Sequence, residues 1–274
     1  MSLQKIRLST THLDAHNERM SVGALRSMLQ KSNEKIIPLG IEHDPRKSPA
    51  GRIIKTELVE LEDGEFALDG IAEVFDSDIQ DTIDVGDREI QLRQYFEGEF
   101  KVFTDRTFRN DESQALIKEL SSILKNAETR EEIKKALDPI SILIIGGSFV
   151  FGGIANGFLG EIGADGYRAL KTVLKKLFSK NNSRTEELLI FEWTLIKHDT
   201  SINVEVILTN PTAEDIDYIL EDGLKDIDTL LEELFDNNLG FGKIVYEYKN
   251  KKMELNYALL KNGIPLVLRK INDR

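Results

Sequence analysis

The chain has 274 residues, with 36 Lys+Arg against 48 Asp+Glu, a formal net charge of −12. Hydrophobic residues at 41% and charged residues at 31% describe a globular chain, and the length suits two domains, each with its own core. The lack of cysteine excludes disulfides, thiolate nucleophiles and Cys-ligated metal centres, and four His are too few for a His-rich cluster. No cofactor or metal is therefore expected. Net acidity argues against nucleic acid as the main partner, because neutralising phosphates needs clustered Lys and Arg.

The opening MSLQKIRLST lacks the apolar core of a signal peptide, so a cytoplasmic location is expected. Ser21 is placed to cap a helix whose apolar positions Val22, Leu25, Met28 and Leu29 keep helical spacing. A short apolar strand follows at 36–42. The segments 52–61 and 65–75 read as strands joined by Glu62-Asp63-Gly64, a turn in which Asp-Gly accepts positive φ. Residues 100–108, FKVFTDRTF, alternate apolar and polar like a half-buried strand. Helices are expected at 112–125 and 129–137, ended by Asp138-Pro139 because the residue before proline avoids the α region. Beyond them the pattern is strand (187–196), strand (202–208), helix (212–235), strand (243–248) and strand (252–258). This ββαββ module is expected to form an antiparallel sheet under one long helix, with Pro211-Thr212 and acidic residues opening that helix.

Charge falls in blocks. Residues 57–99 carry fifteen acids against Arg88 and Arg93, and 212–238 carry ten against Lys225, whereas 164–184 carry six bases against Asp165. Such blocks are solvated faces or mating surfaces, and the basic one is matched here to the acidic block at 57–99. Asp76, Asp78, Asp81, Asp84 and Asp87 lack the sixth-position Gly of a calcium loop and read as a solvated acidic segment.

The residues best suited to chemistry begin at Ile41-Glu42-His43-Asp44-Pro45, where an imidazole follows an apolar strand and precedes a turn. A side chain that titrates near neutrality and is fixed beside a sheet suits a general base. The surrounding words extend this pattern: Leu13-Asp14-Ala15-His16-Asn17-Glu18-Arg19-Met20-Ser21 before a helix, then Pro49-Ala50-Gly51-Arg52-Ile53, then an acidic hairpin. Over residues 5–108 the chain resembles the prohead (capsid-maturation) proteases of tailed phages, which share a fold with the herpesvirus assembly proteases. The resemblance implies a β-barrel with helices over residues 1–110, His43 as catalytic base, and a protein partner or peptide substrate. It also implies a phage or phage-defence setting. His16 or Asp14 would orient His43, and Thr104 falls where the family has its nucleophilic Ser. Here Asp105-Arg106 replace the Ile-Gly that follows that Ser. A Thr methyl crowds attack, the lost Gly removes a close backbone approach, and Asp105 sets negative charge where an oxyanion would form. A degenerate site acting in binding or regulation is the leading reading. An active, self-cleaving Ser/Thr-type peptidase using His43 and Thr104 is the alternative.

Residues 140–160, ISILIIGGSFVFGGIANGFLG, hold no charge. As one helix they would span about 31 Å, close to a bilayer core of about 30 Å. Ile140 to Gly160 therefore reads either as a buried glycine-rich helix leading into the C-terminal module or as a membrane-inserting segment. In the second case the basic amphipathic stretch Arg168 to Lys180 would lie on anionic lipid. The sequence-level organisation is thus an α+β chain: a prohead-protease-like β domain at 1–110, a helical linker at 111–138, and an α+β domain at 139–274.

Overall fold

A computed structural model describes residues 2–13, 19–41, 44–75, 82–131, 140–150, 154–179, 186–197, 200–235 and 240–266. It is mixed α+β and divides into two compact units, 1–92 with 257–274, and 93–256.

In the first unit, β1 (Ser2–Thr10), α1 (Val22–Glu34), β2 (Ile37–Leu39), β3 (Gly51–Glu60) and β4 (Phe66–Val74) form a four-stranded sheet, ordered β1-β4-β3-β2, with one helix. All its pairings are antiparallel. The Ser21 side chain accepts from Ala24 N at 3.1 Å and starts α1 as expected. Gly64, at φ 80°, closes the β3–β4 turn, a conformation that costs glycine nothing. Of the apolar positions of α1 only Leu25 is fully buried, and the helix is fastened to β3 instead by polar contacts. Ser32 Oγ meets Thr56 Oγ1 at 2.6 Å, and Asn33 Oδ1 accepts from Thr56 N at 3.1 Å.

A buried ion pair organises this unit. Arg52 on β3 and Glu73 on β4 sit opposite each other, both 0% exposed, with Nε 2.7 Å from Glu73 Oε2. Arg52 also donates to the carbonyls of Asn262 at 2.5 Å and Ile83 at 2.6 Å, while Glu73 Oε1 accepts from Ile83 N at 2.8 Å. The guanidinium fork thereby ties two distant loops to the sheet. Gly51 makes room for this, because a Cβ there would collide with the Glu73 carbonyl.

The second unit contains β5 (Phe100–Thr104), a 3₁₀ turn (Arg106–Arg109), α2 (Asp111–Ile123), β6 (Glu128–Glu131), β7 (Ile140–Val150), α3 (Ile154–Phe178), β8 (Glu186–Lys197) and β9 (Thr200–Thr209). It continues through α4 (Ala213–Tyr218), a π turn (Ile219–Gly223), α5 (Leu224–Phe235), β10 (Phe241–Lys249) and the first half of β11 (Lys252–Leu260). The strands run β11-β10-β9-β8-β7-β5-β6 across one sheet. The end of β11 lies in the first unit, where it pairs with β12 (Pro265–Leu266).

Several expectations are corrected here. Residues 140–150 are not helical: β7 lies between β5 and β8, antiparallel to one and parallel to the other. The β-branched run Ile140, Ile142, Ile144 and Ile145 favours this pleated, doubly covered position, which a continuous apolar stretch suits as well as a helix does. Among the described residues no helix is long and apolar enough to cross a membrane. Helix α3 is described from Ile154, whose N–H donates to Asp228 Oδ1 at 2.7 Å, and it breaks at Gly163, φ 68°. The ββαββ elements appear in the expected order, but β9 and β10 pair in parallel and the strands extend the sheet of β5 and β7. The expected helix at 129–137 begins as the exposed edge strand β6, and its remainder lies outside the described residues. The two compact units divide at 92/93, with β5 in this second sheet and α2 in the second unit.

The basic face of α3 finds its partner in the later acidic block. Lys175 Nζ lies 2.6 Å from Asp217, and Lys171 pairs with Glu221. Arg52→Ala, which strands a buried carboxylate, is expected to lower stability by about 3–5 kcal/mol in denaturant melts. Adding Glu73→Leu recovers only part of that loss, because the Ile83 and Asn262 groups stay unpaired.

Candidate functional site

Thr104 and Asp105 close β5. On this strand Phe100, Val102 and Thr104 share the face covered by α3, where the Phe158 ring meets Phe100 at 5.7 Å and Phe149 at 6.2 Å. Thr104 is 4% exposed and opposite the fully buried Leu143. Asp105 is committed on both oxygens: Oδ1 accepts from Thr107 N at 2.9 Å and Oδ2 from Ile142 N at 2.6 Å. It caps the 3₁₀ turn and holds the start of β7, a structural duty that leaves no carboxylate free for chemistry.

His43, His16 and Asp14 lie outside the described residues. The strands flanking position 43, β2 and β3, belong to the first sheet, whereas Thr104 belongs to the second. Among the described residues, the strands of 1–110 are thus divided between two sheets and do not form the single barrel-like sheet expected. Asp44, beside His43, is held by Arg46, with Nε 2.9 Å from Oδ1 and Nη2 2.9 Å from Oδ2. Trp193 is a core residue as expected, 1% exposed and stacked on Phe191.

The chemically distinctive constellation lies on the other face of the second sheet. Strand alternation and register bring Lys101 (β5), Gly146 (β7), Glu192 and Thr194 (β8), Asn203 and Glu205 (β9) and Lys243 (β10) to one side. Glu192 and Glu205 are directly opposed across an antiparallel pair and are 1% and 4% exposed. At a separation of about 5 Å, two such charges repel by about 3 kcal/mol at an effective dielectric near ~20. Cations answer them. Arg93 Nη1 lies 2.7 Å from Glu192 Oε2, and Lys243 Nζ lies 2.6 Å from Glu205 Oε1. Asn203 Nδ2 donates to Glu192 Oε1 at 3.3 Å and to the Arg93 carbonyl at 3.0 Å, while its Oδ1 accepts from Thr194.

Residues 93–96 form a short strap on this face. The Arg93 guanidinium also stands 5.1 Å over the Phe103 ring. The Tyr95 ring lies on Gly146, where a Cβ would collide with it. Burial, chiefly, pushes the Glu192 carboxyl above the usual range. Arg93 opposes that rise and Glu205 reinforces it. Burial and then the two carboxylates push the Tyr95 hydroxyl upward as well.

The sequence carried a signal for this cluster. Glu192 is the one charged residue within the run LLIFEWTLI, and Glu205 interrupts INVEVIL. A carboxylate inside a doubly covered strand is buried, and a buried charge needs a partner. No protein-family model, curated protein or solved structure matches the chain.

A carboxyl whose folded value is raised holds its proton more tightly folded than unfolded. Its contribution is full below the unfolded value and is lost as pH rises through the folded one. Wild-type stability is thus expected to fall as pH climbs above the ordinary Glu range, and Glu192→Gln to flatten that slope in pH-dependent urea melts. Gly146→Ala, which drives a methyl into the Tyr95 ring, is expected to cost about 1–3 kcal/mol.

Proposed function

We propose that the protein works by binding or regulation and carries out no peptide-bond hydrolysis, as a degenerate counterpart of the prohead proteases it resembles. The observation that carries this reading is the state of Thr104. Its side chain belongs to the helix-covered face of β5 at 4% exposure, and the next residue spends its carboxylate on a cap and on β7. A nucleophile needs an adjacent base and an approach path for the carbonyl, and an oxyanion needs donors rather than a fixed carboxylate. The membrane-inserting alternative loses its support because residues 140–150 are a central strand of the second sheet.

Trapping experiments separate binding from hydrolysis. The intact masses of the wild type and Thr104→Ala are expected to stay identical and uncut after prolonged incubation. Affinity capture with either form is expected to recover the same proteins in the same amounts. Fragments made only by the wild type, or substrates enriched on the alanine form, would show a working peptidase.

A further inference from the structure

A cavity of about 350 Å³ opens between α5 and the turn joining β10 to β11, within the second unit. Its lining includes Tyr218, Asp226, Leu230, Lys251, Lys252 and Met253. The π turn after Tyr218 folds Gly223 back on the tyrosine ring, where a Cβ would lie 3.3 Å from Tyr218 Cε1 and would clash with Ile219. The ring is stacked on Tyr248 with centroids 5.1 Å apart, and its hydroxyl donates to Asp226 Oδ2, so it is fixed before any ligand arrives. On the facing turn Asn250 and Lys251 take φ 51° and 62°, a two-residue hairpin whose second position favours glycine. A lysine is held there instead, in left-handed backbone that glycine would adopt at less cost, and Lys252 follows it.

Charge in the lining runs against its surroundings. Residues 212–238 carry ten acids against Lys225, yet the cavity presents two ammonium groups and one carboxylate. That carboxylate is engaged by the Tyr218 hydroxyl. Lys251 stands 3.7 Å from Glu214, an exposed pair worth little, and Lys252 has no ion pair among the described residues. The neighbouring Lys249, by contrast, is closed by Glu247 at 2.8 Å.

We propose that this cavity binds a small aromatic anion, a flat ring system carrying a carboxylate or phosphate group. The ring lies against Tyr218, Leu230 and Met253, and the acid group meets the Lys251 and Lys252 ammoniums. Small-molecule sites run from about 300 to 1,000 Å³, so this one takes one or two rings. An aromatic ring gains from stacking on Tyr218 and from the polarizable Met253 sulfur, and an aliphatic acid gains from neither. A cation would be repelled by the two ammoniums, and a neutral ring would leave them unused. The site shares no residue with the surroundings of Thr104 and goes beyond the reading given for them.

Methyl NMR of protein labelled with ¹³C-methionine and titrated with 1-naphthyl phosphate tests this, because Met253 reports from the cavity and Met28 from α1. The Met253 methyl is expected to shift saturably while Met28 stays still. Lys252→Glu is expected to weaken binding at least about tenfold, whereas Lys118→Glu, the same change of net charge on α2, weakens it less than about twofold. Both positions are exposed, so both variants are expected to fold. 1-Naphthol and inorganic phosphate, each with half of the chemistry, are expected to bind at least about tenfold more weakly than the ester. A Met253 methyl unmoved by millimolar probe overturns the proposal, as does equal affinity of the two charge variants. Naphthol binding as tightly as its phosphate overturns it and leaves an apolar groove only. Inorganic phosphate binding as tightly overturns it and leaves an adventitious ion only.

Discussion

A carboxylate buried inside a β-sheet must be given a cation, and both units of this chain are organised around that requirement. In the first, Glu73 is met by Arg52 with no exposure on either side, and the guanidinium uses its remaining donors on the Ile83 and Asn262 carbonyls. In the second, Glu192 and Glu205 are met by Arg93 and Lys243. The two solutions differ in completeness. Around Arg52 and Glu73 the donors and acceptors close on one another, and the result is a fixed clasp. Around Glu192 and Glu205 a hydroxyl and a carboxyl oxygen are left over among the described residues, and the network is not closed.

Local chemistry was legible wherever a few adjacent residues decide the outcome. The Ser21 cap, the Asp63-Gly64 turn and the helix start at Thr212 with its acidic first turn are decided within four residues, and all three form, the last as a capping box between Thr212 and Asp215. What the sequence hid depends on distant partners. Residues 140–150 satisfy the composition of a buried helix and of a buried strand alike, and only the neighbouring β5 and β8 make them a strand. The basic face of α3 was matched to an acidic block in the first hundred residues. Asp217 and Glu221 answer it instead, brought close by the turn of the chain through β8 and β9. Strand β5 is a similar case, since it reads as the last strand of an N-terminal sheet until its neighbours β6 and β7 are known.

The words that carry the prohead-protease resemblance have a structural explanation of their own in this chain. In Pro49-Ala50-Gly51-Arg52-Ile53, Gly51 is small because β4 runs too close for a side chain, and Arg52 is the buried clasp. Thr104-Asp105 ends a strand and caps the turn after it. Short motifs of Gly, Arg, Asp and Thr recur because sheets need close approaches, buried counter-ions and caps, whatever chemistry they support. The degenerate-protease proposal therefore leans on the burial of Thr104 and the backbone bonds of Asp105 more than on the matching words around position 52.

The glycines of β7 show how one strand can be hemmed in from both faces. Gly146 points to the strap side, where the Tyr95 ring lies against the backbone, and Gly147 points to the helix side, against Phe100 and Phe149. Alternation guarantees that neighbouring residues face opposite ways, so a glycine pair thins the sheet on both sides at a single level. An aromatic ring then fills each recess. This accounts for the absence of charge between residues 140 and 150, since the strand is covered on both faces and has nowhere to place a solvated group. It also explains why the strap can seat Tyr95 beside Glu192: Gly146 is the cross-strand neighbour of Glu192, and the space its missing side chain leaves is where the tyrosine ring enters the carboxylate cluster.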